Sequence, residues 1–175
     1  MPIPDLRKIA IVGHSSGGYA TLVGLSFTPD VFACGVSISG MTNLMTFVAS
    51  TPVYWKNWLE KWYRYVGDPS RVEDRRRMES QSPLFRAERI TSPLLLIHGA
   101  TDPRVKVDQA EQLVTALQPL GKPVDDVRLE GDGHRDFHWR NWLKIYRKTE
   151  DFLARRLGGR SGGFDWFELY QLSPR

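Results

Sequence analysis

The strongest signal in the sequence is residues 8–19, which read Lys-Ile-Ala-Ile-Val-Gly-His-Ser-Ser-Gly-Gly-Tyr. An apolar run over Lys8–Val12 ends at Gly13, and apolar residues at helical spacing follow from Gly17 to Phe27. A continuous apolar run that ends in glycine is typical of a strand buried on both faces, the kind found in parallel sheets. The stretch therefore predicts a strand, a sharp turn and a helix.

The same alternation continues along the chain. Apolar runs predict two further strands, at Cys34–Ser39 and Pro93–His98, and a fourth strand is predicted at Val124–Leu129, where the pattern is weaker. Helical spacing predicts a helix over 107–117 and a long final helix over 142–157. Strands that alternate with helices indicate an α/β fold, with a mostly parallel sheet flanked by helices.

An aromatic-rich segment, residues 41–90, interrupts the alternation, and we expect it to be a largely helical insertion. Trp55, Trp58 and Trp62 have the i, i+3, i+7 spacing of one helix face, which favours burial of that face on the sheet. The alternative is that aromatic side chains here line a substrate pocket, with Tyr54, Trp55 and Trp58 as candidates.

The composition fits one ordinary globular domain. Of 175 residues, 41% are hydrophobic and 25% charged, which excludes a disordered chain. No stretch approaches the ~18–20 uninterrupted apolar residues of a membrane span, and residues 1–5 lack the features of a signal peptide. The single cysteine, Cys34, excludes an internal disulfide and a cysteine-built zinc site, and we expect it in the core. We therefore expect a cytoplasmic protein without a membrane partner.

The formal net charge of +4 does not indicate nucleic-acid binding. The longest basic run, Arg75–Arg77, is flanked by Glu73, Asp74 and Glu79. Phosphate binding needs a basic stripe that nearby acids do not cancel, so this run favours a solvated helix face with internal ion pairs. We expect no nucleic-acid partner.

Residues 13–17 match G-x-S-x-G at the junction of the first strand and the first helix. On such a turn the serine Oγ is lifted clear of the sheet, and the flanking small residues let the backbone fold tightly. We predict Ser15 as the nucleophile, with Ser16 the second choice, and the Ser16 backbone N–H as an oxyanion donor. The alternative is a plain glycine-rich turn.

A serine hydroxyl needs a base, and the sequence offers four histidines. His134 ends a glycine-rich loop after the fourth strand, at the carboxyl edge of the sheet where catalytic groups gather, and we predict it as the base. Its alternative role is a local turn contact. We expect His14 to pack below the turn, His98 to be a structural hydrogen-bonding residue, and His138 to be exposed.

Asp102 follows the third strand and is the candidate to orient the imidazole and stabilise its charged form. It is alternatively a turn or helix-start residue. Asp132 and Asp136 lie too near His134 in the sequence to reach around its ring. The order Ser15, Asp102, His134 is that of α/β-hydrolases, and each residue follows its own strand.

The chain resembles the catalytic domain of the prolyl oligopeptidase family of serine peptidases, especially its dipeptidyl-peptidase and acylaminoacyl-peptidase branch. The resemblance is carried by residues 13–19, 27–30, 52–55, 82–83, 99–105 and 133–134. It implies Ser15 as nucleophile, Asp102 as acid and His134 as base, with no metal or cofactor. The family usually has tyrosine where Ser16 stands and often glycine where Arg135 stands, which affects substrate preference more than chemistry.

The resemblance also implies missing parts. It runs from about Arg7 to Gly159, and we assign residues 1–159 to an α/β-hydrolase catalytic domain that lacks the early strands and the β-propeller of the family. The edge of the Lys8–Val12 strand is then open, and an open apolar edge favours pairing with another chain, so we expect a homodimer or higher homo-oligomer. Residues 160–175 form a tail of unknown role: its aromatic residues cover that edge or a partner, or the tail is a read-through remnant.

The sequence thus predicts a serine hydrolase that cleaves peptide or ester bonds through an acyl-enzyme, with small esters favoured. Two alternatives are a non-catalytic remnant that acts as an oligomerising or binding module, and a lipase-like carboxylesterase.

Overall fold

The computed structural model describes residues 5–135 and 137–162. The expectation for the aromatic tail residues falls on 163–175, outside the described residues. Within the described part, four parallel strands form one sheet in the order β1-β2-β3-β4: β1 Ala10–His14, β2 Cys34–Ile38, β3 Leu94–Gly99 and β4 Val124–Leu129.

Six α-helices occur in the described residues: α1 Ser16–Phe27, α2 Leu44–Ala49, α3 Lys56–Tyr65, α4 Val72–Gln81, α5 Asp108–Leu117 and α6 Trp139–Leu157. Short 3₁₀ turns lie at Leu6–Lys8, Val53–Trp55, Pro83–Arg89 and Gln118–Leu120. The predicted α/β fold class is confirmed, and none of these helices is long and apolar enough to cross a membrane.

The first strand begins two residues later than predicted. Asp5 caps a 3₁₀ turn, accepting a hydrogen bond from the backbone N–H of Arg7 at 3.0 Å, and this turn takes up Lys8. The strand then continues through Gly13 and His14. Its last residue therefore directly precedes Ser15.

Helices cover both faces of the sheet, because successive side chains of a strand point to opposite sides. On one face Leu94 and Leu96 of β3 pack with Leu22 of α1. On the other face Leu95 of β3 packs with Phe152 of α6. Each fully buried leucine stabilises the fold by roughly 1.5–3 kcal/mol, so the central strand anchors both layers.

The insertion packs as a separate layer over the carboxyl edge of the sheet. Met41, Phe47 and Met78 form its core together with Val105, which follows β3. Trp62 of α3 meets Phe47 edge-on, with ring centroids 5.1 Å apart. The aromatic face of α3 thus packs on α2. The interpretation that buried this face on the sheet is therefore wrong.

The insertion is tied to the sheet layer by Gln109, which is fully buried in α5. Its Oε1 accepts the backbone N–H groups of Thr42 and Asn43, both at 3.0 Å, and its Nε2 donates to Thr46 at 2.7 Å. A buried amide with all of these partners fixes the start of the insertion relative to α5.

Strand β1 lies at an edge of the described sheet, as the open-edge prediction requires. No described strand pairs with its outer side, and Val12 of this strand is 49% exposed. Cys34 is fully buried between strands and α6, as expected of a core residue.

Candidate active site

Ser15 occupies a strained backbone position between β1 and α1. Its φ is 58° and its ψ is −116°, a conformation that costs a residue with a side chain about 1–3 kcal/mol. The turn is held by two backbone bonds: Ser15 N–H donates to Ile38 at 2.8 Å, and Tyr19 N–H donates to Ser15 at 2.9 Å. The strain is therefore offset by regular structure on both sides of the serine.

Close backbone contacts require two glycines at this turn, Gly13 in the motif and Gly18 just after it. A Cβ on Gly13 would overlap the carbonyl group of Gly17, and a Cβ on Gly18 would lie 2.8 Å from the Cα of Gly40. Side chains at these two positions would force the turn open. A Cβ on Gly17 would meet nothing within 4 Å, so the contact of strand and helix explains the first glycine of the motif and not the second.

His134 lies beside the serine hydroxyl. Its Nε2 is 2.8 Å from Ser15 Oγ, and its Nδ1 is 2.6 Å from Asp102 Oδ2. With Nδ1–H donating to the carboxylate, Nε2 carries the lone pair that accepts the serine proton. The structure therefore brings together all three residues that the sequence predicts to be catalytic.

Asp102 is held as a buried carboxylate, 5% exposed. Its Oδ1 accepts the backbone N–H groups of Arg104 at 2.8 Å and Val105 at 2.9 Å. Burial by itself would raise the pKa of Asp102, but the hydrogen bonds from His134, Val105 and Arg104 outweigh burial and hold the pKa below its ordinary value. The group thus remains an anion in position to stabilise a charged imidazole.

The loops that carry the acid and the base are locked together. Thr101 donates to the Asp132 carbonyl from its N–H at 3.0 Å and from its hydroxyl at 2.9 Å. Gly99 lies so close to Gly133 that a Cβ on it would overlap the Gly133 carbonyl oxygen. The loops after β3 and β4 therefore form one rigid unit.

The other histidines have supporting positions. His14 Nε2 donates to the His134 carbonyl at 2.8 Å, and His98 Nε2 donates to the Val105 carbonyl at 2.7 Å. Burial lowers the pKa of both rings. His138 is exposed, as expected, and caps α6, while the Asp132 carboxylate accepts its backbone N–H.

Ser15 opens into a cavity of about 290 Å³. Its lining residues are Ser15, Ser16, Met41, Phe47, Thr51, Trp55, Trp58, Trp62, Arg104, Val105, His134 and Arg135. Ser16 begins α1, where backbone N–H groups have no partner within the helix, so its N–H is available beside the serine.

The candidate pocket residues of the insertion are only partly brought to this cavity. Trp55 and Trp58 line it, but Tyr54 does not: its side chain is 76% exposed and its ring meets the edge of Trp55. Tyr54 lies in the 3₁₀ turn before α3. Met41 and Phe47 also form part of the cavity wall. The sequence did not predict this, because no local pattern connects this part of the chain with Ser15.

In the described residues no group of three or more histidine, cysteine or acidic side chains is arranged to hold a metal ion. The chemistry of the site is that of a hydroxyl, an imidazole and a carboxylate in a hydrogen-bonded row. This row can transfer an acyl group to the serine and on to water.

A parallel sheet with a serine on the turn between strand and helix, facing a histidine and an aspartate from later strand ends, defines the α/β-hydrolase class. Within that class, the chain belongs to the prolyl oligopeptidase family, whose model matches residues 3–160. The resemblance seen in the sequence is thereby confirmed.

Two relatives show the extent of the similarity. Dipeptidyl aminopeptidase BIII of Pseudoxanthomonas mexicana is 44% identical over 154 residues, 88% of this chain and 22% of that protein. Dipeptidyl peptidase family member 6 of Caenorhabditis elegans is 40% identical over 163 residues, 93% of this chain and 22% of that protein. The chain thus spans about a fifth of the length of these relatives.

Solved structures of peptidases also superpose on this chain. A puromycin-hydrolyzing peptidase of Mycobacterium tuberculosis superposes with a TM-score of 0.83 at 29% identity, over 93% of this chain and 24% of that one. Uncomplexed acylaminoacyl peptidase of Pyrococcus horikoshii superposes with a TM-score of 0.79 at 30% identity, over 95% and 27%.

Proposed function

We propose that this chain is a serine hydrolase that cleaves peptide or ester bonds through an acyl-enzyme. The observation that carries the proposal is the hydrogen-bonded row from Ser15 through His134 to Asp102, with distances of 2.8 and 2.6 Å. The similarity to relatives named as dipeptidyl and acylaminoacyl peptidases supports peptides as the substrate class.

In the first half of the reaction, Ser15 Oγ attacks the substrate carbonyl while its proton passes to His134 Nε2. The carboxylate of Asp102 stabilises the imidazolium that forms. The backbone N–H of Ser16 donates to the developing oxyanion, since preorganised donors of this kind lower the barrier most. The tetrahedral intermediate then collapses, and His134 gives its proton to the leaving amine or alcohol.

In the second half, water replaces the leaving group. His134 takes one proton from the water as the hydroxyl attacks the acyl carbon, and the same N–H stabilises the oxyanion. Collapse breaks the bond to Ser15 Oγ, which recovers its proton from His134. The products are a carboxylic acid and the free enzyme, so no outside reactant other than water is consumed.

Small activated esters are the substrates to try first, because a good leaving group demands less transition-state stabilisation from the site. One supporting observation is that the cavity beside Ser15 is open to solvent, with Trp58 55% exposed. A series of p-nitrophenyl esters with acyl chains of increasing length separates this activity from a lipase-like carboxylesterase, which would prefer the longer chains.

The test compares Ser15→Ala with Ser16→Ala in the purified chain. Ser15→Ala should lower kcat by on the order of 10⁵–10⁶-fold and abolish labelling by a fluorophosphonate. Ser16→Ala keeps its backbone N–H and should still be labelled. If the folded chain shows neither labelling nor a burst of p-nitrophenol, that result supports the alternative of a non-catalytic binding module.

We further propose that the outer side of β1 pairs with a strand of a second copy. Its support is the edge position of β1 and the exposed Val12 on it. Light scattering at micromolar concentration should then give the mass of a dimer or larger assembly, and Val12→Lys should shift it toward the monomer, because an edge lysine opposes strand pairing. A monomer before any substitution would contradict this.

A further inference from the structure

Two arginines line the cavity, and no acidic side chain lies among its described lining residues. Arg104 stands two residues after Asp102, and Arg135 directly follows His134. We propose that this cavity selects acyl groups that carry a carboxylate, such as a glutamyl side chain, because Arg104 and Arg135 face it and no acidic side chain of the described residues neutralises them. This inference rests on the proposed hydrolase function and names its substrate class.

The first argument is that neither guanidinium group has a carboxylate partner in the part of the chain that the structure describes. Elsewhere in the structure Arg77, Arg128 and Arg155 lie 2.9, 2.9 and 3.2 Å from a carboxylate. Among the residues that the structure describes, Arg104 and Arg135 have no carboxylate within such a distance. A carboxylate of the substrate is therefore a group that could pair with these two guanidinium groups.

The second argument is how Arg104 is held. Its guanidinium lies 5.3 Å from the ring centre of Trp55, and its backbone N–H is fixed by Asp102. Stacking on an aromatic face leaves the N–H groups at the edge of the guanidinium available, and these match the two oxygens of a carboxylate. The side chain is thus preorganised without being neutralised.

The third argument is the field of Arg135. Arg135 directly follows His134 in the chain and lines the same cavity as Ser15 and His134. Arg135 is therefore close enough to the reacting groups for its charge to reach them. A carboxylate bound in this cavity would be attracted by both positive charges, and water and salt would screen part of that attraction because Arg104, Arg135 and Trp58 are exposed.

The chemistry also fits the aliphatic part of such a group. A glutamyl side chain offers a short methylene stem to the indole walls and a carboxylate to the guanidinium groups at its end. Glutamine has the same shape without the charge. A comparison of glutamyl with glutaminyl substrates therefore separates the electrostatic contribution to substrate preference from the contributions of size and apolar contact.

The experiment measures kcat/KM for N-acetyl-glutamyl and N-acetyl-glutaminyl p-nitrophenyl esters at low salt. We expect the glutamyl ester to be favoured by about tenfold to a hundredfold, as for hydrogen bonds to a charged group, and the preference to shrink in 0.5 M salt. Arg135→Gln should remove most of the preference while the glutaminyl ester is still turned over, and Arg135→Lys should keep part of it.

Arg140→Gln is the matched control, since it removes the same charge from a residue that stacks on Trp139 and does not line the cavity. It should leave the preference intact. A glutamyl-to-glutaminyl ratio near one, or a ratio that Arg104→Gln and Arg135→Gln together do not change, overturns the inference while leaving the hydrolase function in place.

A binding measurement covers the case in which neither ester is hydrolysed. In Ser15→Ala, the fluorescence of the cavity tryptophans is titrated with N-acetyl-glutamate α-amide and N-acetyl-glutamine α-amide. Tighter binding of the glutamate compound that is lost in the Arg135→Gln background supports the inference even if the hydrolase proposal fails. Equal binding of the two compounds overturns it.

Discussion

The two parts of the cavity wall are built in different ways. The catalytic part is deeply buried: Asp102 and His134 are 5% and 6% exposed, and main-chain hydrogen bonds join their loops. The part from the insertion is loose by comparison, because Trp58 is 55% exposed and Trp62 of α3 is only partly buried against the apolar cluster that includes Phe47. In the proposed reaction the ends of the strands carry the chemistry, whereas the helix layered on top would supply the substrate contacts.

This difference separates two kinds of substitution. A change on the catalytic part acts on groups that have no room to move, so its effect on rate is large. A change on the insertion acts on side chains that face solvent, so its effect on binding is modest and its effect on stability is small. Four measurements test that division.

The largest effect is expected from Asp102→Asn. The amide keeps an oxygen for the N–H groups of Arg104 and Val105, but its NH₂ faces Nδ1 of His134 and favours the wrong tautomer. We expect kcat to fall about 10⁴-fold with little change in melting temperature. A fall of less than tenfold in steady-state turnover would mean that the carboxylate does not assist the base.

The next effect is expected from Gly99→Ala, which places a Cβ against the Gly133 carbonyl. The loop of His134 must move, and misplacement by about 1 Å can cost about 10²-fold in rate. The matched control is Gly133→Ala, where the nearest atom to the new Cβ is Cδ of Pro103 at 3.7 Å. Equal kcat/KM in the two variants would show that the loop contact is not important.

A smaller effect is expected from Trp58→Ala in the insertion. Loss of a half-exposed indole removes roughly 1 kcal/mol of apolar contact, so KM should rise about fivefold while kcat and melting temperature stay nearly constant. Tyr54→Ala should change neither constant, because Tyr54 does not line the cavity. A large loss of kcat in Trp58→Ala would contradict the division between the two parts.

The smallest effect is expected in the pH dependence of stability. Burial lowers the pKa of His98 from its ordinary value of 6.5, so below pH 6.5 the unfolded chain takes up a proton that the folded chain excludes. The free energy of unfolding should therefore decrease as the pH falls below 6.5. His98→Gln should make this decrease shallower in urea titrations, and the surface variant His138→Gln should not.

The sequence predicted the catalytic part of the molecule better than the rest. Strands at 34–38 and 94–99 lie where apolar runs placed them, because a strand buried on both faces must be largely apolar. The strand at 124–129 was also predicted, although Asp125, Asp126 and Arg128 interrupt its apolar pattern. The meeting of Ser15, Asp102 and His134 follows from topology, since the carboxyl ends of parallel strands share one edge.

The insertion was harder to predict for a physical reason. Its helices meet each other through side chains far apart in sequence, such as Phe47 and Trp62, and periodicity within one helix does not show which neighbour it packs on. For the same reason Tyr54 was placed wrongly and Met41 was missed. The compartment and the assembly state depend on other molecules, and both stay predictions.

The hydrogen bond from His14 to the backbone of His134 has a consequence for protein engineering. The second position of the G-x-S-x-G motif is commonly regarded as a free spacer, yet in this chain its side chain binds the main chain of His134, the proposed general base. Randomising residue 14 would thus not give a neutral library. Active clones should be enriched in side chains that offer a donor at the reach of Nε2, even though the motif itself does not specify one.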